Sequence, residues 1–287
     1  GQGSARFTNT SVFSDLNLEN IISEKREYDR ENSRYFHNKA TYFTSSLVEN
    51  YLTALSPQFL FLKGDNNLRH SINGQGMFYA IDAVALMFGI VYFFSTKSRR
   101  ESALLLSWII IGILPSALTL DGATHATRLI LILIPLTILV TFGLYKLKNK
   151  FIILSYFGIL LVSFVFYQHN FWVHNPVESA KWWHYGWQES IDYLENNSNS
   201  YDKTIISTQG EPPWIFFAAH SEYNPTVFQQ FSPEKTSYLE NFGQVSSIDN
   251  YYFASIPNDS IYEWAQYLDS KTMYLATAEE VKVDLVA

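Results

Sequence analysis

Four long apolar segments fill the middle of the chain and restrict what it can fold into. They cover residues 76–94, 103–120, 129–145 and 151–167, and short polar turns separate them. A helix needs roughly 20 apolar residues to cross a hydrocarbon core of about 30 Å, whereas helices buried in soluble proteins are usually shorter and amphipathic. The pattern therefore predicts an α-helical polytopic membrane domain with four transmembrane helices over residues 76–168, rather than a buried soluble core.

Charges in the turns between these segments predict how the chain is oriented. Three basic residues lie in the turn 95–102 and three more in the turn 146–150, whereas the turn 121–128 carries one Asp and one Arg. Basic turns stay on the cytoplasmic side of a membrane. We therefore expect a protein integral to the cytoplasmic membrane, with residues 1–75 and 169–287 both on its outer side.

Composition excludes several classes of protein. Residues 71–170 contain seven basic and three acidic residues while the whole chain has a net charge of −7, so its flanks are acidic. An acidic surface argues against a nucleic-acid partner. The absence of cysteine excludes a disulfide framework and a Cys-based metal site. Because the chain begins at Gly1 without a signal peptide, we expect a missing N-terminal part to have carried residues 1–75 across the membrane.

The N-terminal flank is predicted to be an outer loop with helices. A charged helix is expected within residues 15–32, and residues 44–55 have an apolar stripe at helical spacing before Pro57. An amphipathic helix in this position either lies along the membrane surface or packs against the rest of the protein.

The C-terminal flank is predicted to be a small extracytoplasmic α/β domain. We expect helices over residues 179–194, 214–219 and 260–268, and strands over residues 204–207 and 272–276. This order of elements favours a small, partly parallel sheet covered by helices.

Few polar residues lie where chemistry at the outer membrane surface would use them. Asp82 falls inside the first apolar segment, and it either supports a site, pairs with an Arg or reaches to the interface. His125 and Arg128 are three residues apart in the outer turn, where they suit either a lipid phosphate or an interfacial anchor. Arg69 and His70 could contact phosphate or sugar, while Asp65 could simply cap the backbone of its own loop.

Common catalytic motifs for nucleotide, zinc-peptidase and hydrolase chemistry are missing from the sequence. No cofactor is identified; a divalent metal is possible, but no sequence pattern supports one. Two aromatic groups, at residues 182–187 and 251–253, suit either sugar stacking or a place in the core or the membrane interface.

Several short motifs, in their order and in their spacing from the apolar segments, resemble one family. These motifs are FHNK (36–39), VENY (48–51), SPQFLF (56–61), GD (64–65), NLRH (67–70), PSALT (115–119), HATR (125–128), YGWQES (185–190) and EPPWIFF (211–217). They are similar to bacterial membrane glycosyltransferases of the protein-mannosyltransferase and aminoarabinose-transferase-like group (glycosyltransferase family 39-like), which have the GT-C fold. The similarity runs over nearly the whole chain.

The resemblance implies an inverting transfer of a sugar from a polyprenyl-phosphate donor to an acceptor on the outer face. It implies that Arg69, His70, His125 and Arg128 contact the donor phosphate and that Asp65 and Asp82 orient them. In the family an acidic residue in the first outer loop acts as general base. No residue of this chain matches that base, so the chain is expected to be a fragment that is inactive alone.

Two other classes of protein are alternatives to a glycosyltransferase. A non-catalytic membrane protein, whose outer domain binds a glycan or a partner protein, is the main alternative. A transporter would place paired polar residues deep in several spans, and the interiors of the last three apolar segments contain no charged residue.

Overall fold

A computed structural model gives the fold of residues 11–14, 17–28, 33–120, 122–209, 212–230, 245–255, 268–277 and 280. The chain divides into two compact units, Gly1–Trp183 and His184–Ala287. The described part is mostly helical, with one small mixed sheet of four strands. The division falls between Trp183 and His184. The domain boundaries predicted at residues 75/76 and 168/169 stay predictions.

The described part of the first unit contains six helices of eleven or more residues. They are α1 (Leu18–Tyr28), α2 (Lys39–Ala54), α3 (Asp82–Thr96), α4 (Arg99–Ala117), α5 (Ile130–Lys146) and α6 (Lys150–His169). Shorter helical segments cover Val12–Ser14, Ser33–Phe36, Gln58–Leu62, Asn170–His174 and Asn175–Glu178. The helix expected within residues 15–32 is α1, and residues 15, 16 and 29–32 lie outside the described residues.

The four apolar segments form helices α3 to α6, with ends set by local capping. Ser98 and Glu101 form a reciprocal capping box at the start of α4. Helix α3 begins at Asp82. The first apolar segment had been predicted to become helical from residue 76. Residues 76–81 are not helical because Phe78 N–H donates to the Leu60 carbonyl (2.8 Å) and the Asp82 carboxylate accepts Tyr79 N–H (3.0 Å).

Among the residues that the structure describes, two helical stretches are long and apolar enough to cross a bilayer. They are Arg99–Ala117 and Lys150–Glu178, while Asp82–Thr96 and Ile130–Lys146 are apolar but shorter. Length and composition thus support two of the four predicted spans. Tyr156 is the one buried residue of α6. Many large apolar side chains of this helix are exposed, including Leu154 at 70% and Phe166 at 64%.

Helices α3 and α5 form the most closely packed pair of the first unit. Their backbones approach at two glycines, because a Cβ at Gly89 would overlap the Leu139 carbonyl and one at Gly143 would overlap the Ala85 carbonyl. Small residues at such crossings allow close van der Waals packing where hydrophobic driving force is weak. Leu86, Ile132, Leu136 and Leu139 are among the buried residues of the core around this contact.

Helix α2 packs against the C-terminal end of α4. The buried Asn50 amide donates to the carbonyls of Ala117 (2.9 Å) and Thr119 (3.3 Å). The Tyr51 hydroxyl donates to the Ile110 carbonyl (2.8 Å). Of the two alternatives for the apolar stripe at residues 44–55, these contacts favour packing against the protein.

The described residues of the second unit form two helices of eight or more residues and the four-stranded sheet. Helix α7 covers Trp187–Asn197 and α8 covers Pro213–His220, with short helical turns at Ser198–Ser200 and Pro225–Phe228. The strands are β1 (Lys203–Ile206), β2 (Ser247–Ile248), β3 (Tyr251–Phe253) and β4 (Thr272–Leu275), in the order β2-β3-β1-β4. Strand β1 is parallel to both β3 and β4, and β2 is antiparallel to β3.

This sheet confirms the predicted partly parallel arrangement and adds two strands. The aromatic group at residues 251–253 forms β3, with Phe253 buried in the core beside Ile206 and Phe217. Helix α7 begins at Trp187 rather than residue 179, after Gly186 with φ +96°. Residues 260–267 of the predicted third helix lie outside the described residues.

Candidate functional site

The Asp65 loop (residues 63–70) holds its side chains in place through its own backbone. Asp65 Oδ1 accepts Asn67 N–H (2.9 Å), and Asn67 Oδ1 accepts Arg69 N–H (3.0 Å). These two consecutive Asx turns bring His70 back over the start of the loop. The His70 Nδ1 atom lies 3.0 Å from Asp65 Oδ2, and Asp65 is only 7% exposed.

Asp65 also joins this loop to the His125 loop (residues 122–129). Its Oδ2 atom accepts the Ala126 backbone N–H at 2.9 Å. Within the His125 loop, the N–H groups of Arg128 and Leu129 both donate to the His125 carbonyl (3.1 Å). The carboxylate thus connects two segments that are 61 residues apart in the sequence.

Asp65, His70 and His125 form one compact cluster. The two imidazole rings stack with centroids 4.6 Å apart and planes inclined by 29°. One potential ligand atom from each of the three residues lies within 4.8 Å of the others, and no other group of this kind occurs among the residues described. The cluster therefore has the donor atoms and the spacing for a metal ion.

The two arginines predicted to bind phosphate have protein partners. Arg69 Nε donates to the Trp182 carbonyl, and Arg128 donates to Thr119 Oγ1 at 2.8 Å. Thr119 in turn donates to the Ser116 carbonyl (2.8 Å) at the end of α4. Arg69 is the neighbour of His70 in the Asp65 loop. The hydrogen bond to Thr119 instead directs the Arg128 side chain toward the end of α4.

Asp82 is buried at the start of α3, at 6% exposure. Its Oδ2 accepts Tyr79 N–H at 3.0 Å, and its Oδ1 accepts the hydroxyl of Tyr156 on α6. These hydrogen bonds bring Asp82 together with tyrosines, and they link it to none of the four predicted phosphate contacts. Among the predicted site residues, the structure thus groups Asp65 with His70 and His125.

Two cavities meet at His70. One has a volume of about 270 Å³ and is mostly apolar, with Phe59, Leu60, Met77, Phe78, Leu129 and Leu133 among its lining residues. The other, of about 350 Å³, has a mixed lining, with polar residues Arg69, Ser71, Gln75 and Asn175 beside Leu68, Ile72, Met77, Tyr167, Phe171 and Trp183. His70 lines both cavities.

Sequence reasoning named all three residues of the cluster but not the cluster itself. His70 and His125 were predicted on the same side of the membrane, each beside the end of an apolar segment. That shared position was the available signal for a common site. The contact that brings them together uses the Ala126 backbone N–H, which no side-chain pattern encodes.

Comparison of the chain with models of protein families, with curated proteins and with solved structures found no match. The resemblance to membrane glycosyltransferases therefore depends on the short motifs and on their order along the chain.

Proposed function

We propose that the chain contributes the donor-binding side of a membrane glycosyltransferase with a GT-C-like fold. In this proposal α3 to α6 are four membrane spans, and the Asp65 and His125 loops face the outer side. The donor is a polyprenyl-phosphate-linked sugar, the acceptor is a protein, lipid or glycan, and the anomeric configuration inverts. The family's general base is supplied by residues that have no match in this sequence.

The observation that carries this proposal is the position of His70 between a mostly apolar cavity and a second cavity of mixed lining that contains Arg69. A polyprenyl chain is apolar and its phosphate is anionic, so the first cavity suits the lipid and the second suits the head group. Arg69 lines the second cavity, and its guanidinium has a geometry that matches phosphate oxygens. Basic groups in this position would stabilise the phosphate as it leaves the sugar.

The exposed apolar surface of α6 supports the membrane location. Soluble proteins rarely expose contiguous apolar patches beyond a few hundred Å². Leu154, Leu161 and Phe166 are each more than 60% exposed, and they lie on a 29-residue apolar stretch. In lipid, exposure of these apolar side chains carries no hydrophobic free-energy cost.

Binding of farnesyl phosphate, a short polyprenyl phosphate, tests the proposal on the chain reconstituted in nanodiscs. We expect Arg69→Ala to weaken binding about 10- to 100-fold, since hydrogen bonds to charged groups contribute roughly 1.5–3 kcal/mol. Titration calorimetry gives the dissociation constants. Farnesol, which lacks the phosphate, should bind the wild type and Arg69→Ala equally.

The matched control is Arg26→Ala on α1. Arg26 also donates its Nε to a backbone carbonyl, that of His37 (2.8 Å), but it lines neither of the two cavities. Its loss should leave farnesyl phosphate binding unchanged. Equal dissociation constants for the wild type and Arg69→Ala would contradict the proposed role of this site.

A non-catalytic membrane protein whose outer domain binds a glycan is the alternative. A cavity of about 190 Å³ in the second unit favours it, because Tyr185 and Trp187 line this cavity beside Ser190 and Thr277. One face of Trp187 is already stacked on Phe216, with centroids 4.9 Å apart. Equal affinity for farnesyl phosphate and farnesol, together with measurable glycan binding, would favour this alternative.

A further inference from the structure

We infer that Asp65, His70 and His125 form a binding site for a divalent transition-metal ion of the Zn²⁺ type. The inference rests on the geometry of the cluster and does not depend on glycosyl transfer. Two imidazoles and one carboxylate are a donor set that zinc uses with three protein ligands and one open position. Nothing in the sequence alone had indicated this site.

The spacing of the donor atoms fits one ion. Ligand atoms on a tetrahedral zinc ion lie roughly 3.4 Å apart, given metal–nitrogen bonds of about 2.0–2.1 Å. Asp65 Oδ2 and His70 Nδ1 are 3.0 Å apart, and all three donors lie within 4.8 Å of one another. The ion takes the place of the hydrogen between Oδ2 and Nδ1. A neutral His70 keeps its proton on Nε2 as the other tautomer, whereas a protonated His70 releases one proton to solvent. Rotation of the His125 ring out of its stack on His70 completes the set.

Neighbouring groups hold the donors in position before an ion arrives. Asp65 is fixed by the N–H groups of Asn67 and Ala126, each at 2.9 Å. The Thr127 hydroxyl lies 3.0 Å from His125 Nδ1 and orients that ring. Outer contacts of this kind set ligand orientation and strengthen metal sites.

The donor set also predicts which ions bind. Nitrogen-rich sites favour Zn²⁺, Co²⁺ and related ions, whereas Mg²⁺ and Ca²⁺ prefer oxygen ligands throughout. The cluster supplies one carboxylate and two imidazoles, so excess Mg²⁺ or Ca²⁺ should not displace zinc.

Metal titration of the whole chain tests the site. The chain is purified without a polyhistidine tag, stripped with EDTA and titrated with Zn²⁺ in the absence of any donor lipid. We expect one Zn²⁺ per chain, and at least about 100-fold weaker binding in His125→Gln and in Asp65→Asn, each of which removes one ligand. Size-exclusion chromatography and circular dichroism establish that these variants fold.

The Co²⁺ absorption spectrum of the wild-type chain gives a readout that needs no variant. Tetrahedral Co²⁺ bound to nitrogen and oxygen should give strong visible bands that Zn²⁺ removes by competition. A spectrum that stays that of hydrated Co²⁺ would overturn the inference. Because no donor lipid is present, this outcome is separate from a failure of the proposed function.

His169→Gln is the matched control. His169 and His174 form a second histidine pair with ring centroids 5.1 Å apart, and they belong to no group of three potential ligands in the described part of the chain. This variant should keep the wild-type stoichiometry and affinity. Unchanged zinc affinity in both His125→Gln and Asp65→Asn would overturn the assignment of the ligands.

Discussion

The carboxylate of Asp82 depends on a tyrosine hydroxyl from a different helix. Asp82 on α3 is 6% exposed and Tyr156 on α6 is 8% exposed, so water does not replace the bond between them easily. Tyr156 is also the one buried residue of α6. This hydrogen bond therefore anchors a helix whose other side chains make little contact with the core.

Tyr156→Phe should destabilise the first unit by about 1–3 kcal/mol, because it leaves a buried carboxylate with one hydrogen bond fewer. Thermal unfolding in detergent measures the change. Tyr145→Phe is the control, since Tyr145 is 78% exposed and its hydroxyl is expected to matter little. Equal unfolding temperatures for the two variants would contradict the anchoring role of Tyr156.

Sequence reasoning left three interpretations of Asp82 open, and the structure supports a modified form of one of them. A structural partner was expected, but that partner is Tyr156 rather than an Arg. The tyrosine lies 74 residues away, inside an apolar segment where its hydroxyl gave no signal of its own. By contrast, Asp65 was predicted to cap its own loop or orient its neighbours, and its hydrogen bonds are compatible with both roles.

At the scale of elements, the crossing of α3 and α5 depends on glycine. Alanine normally stabilises a helix by roughly 0.5–1 kcal/mol relative to glycine. At Gly89 that gain is opposed by overlap of the new Cβ with the Leu139 carbonyl, a backbone atom that cannot rotate away. At Gly158 on α6 a Cβ would meet no atom within 4 Å.

Gly89→Ala should therefore lower the unfolding temperature in detergent, at a cost of about 1–3 kcal/mol typical of overpacking. Gly158→Ala should leave it unchanged or raise it slightly. The opposite signs are the discriminating result, because both variants make the same chemical change in an apolar helix. A rise of similar size in both variants would show that helix propensity, rather than the crossing, decides stability here.

Helices were more predictable than strands because their pattern extends over more residues. The four apolar segments differ from α3 to α6 by only a few residues, apart from the late start of α3. Strands β2 and β3 contain two and three residues, too few for an alternating pattern to be recognised. Strand β2 pairs with β3, and β3 pairs with β1. The pairing of β3 with β1 joins residues that are far apart in the sequence.

At the scale of the whole molecule, the absence of cysteine allows a direct test of membrane orientation. Asn73 and Lys148 are both exposed, and the proposed orientation puts them on opposite sides of the membrane. A membrane-impermeant maleimide should label Asn73→Cys in intact cells, and Lys148→Cys only after permeabilisation. The wild type should stay unlabelled, since it has no thiol.

Equal labelling of the two variants in intact cells would contradict the proposed orientation. The charge pattern predicts this orientation from the sequence alone. The structure adds that the Asp65 and His125 loops lie together, so both must face the same side. A shared donor site was expected to bring the two loops near each other, but the hydrogen bond between Asp65 and Ala126 N–H could not be predicted, because it depends on how the helices that carry the loops pack.

The link between these two loops passes through the backbone of residue 126 rather than through its side chain. Many residues that fit the space occupied by Ala126 would keep this hydrogen bond, but proline would remove it because it has no N–H. Asp65 and residue 126 would therefore leave no pair of co-varying side chains among related sequences. A search for contacts by co-variation would overlook the bond that assembles the site.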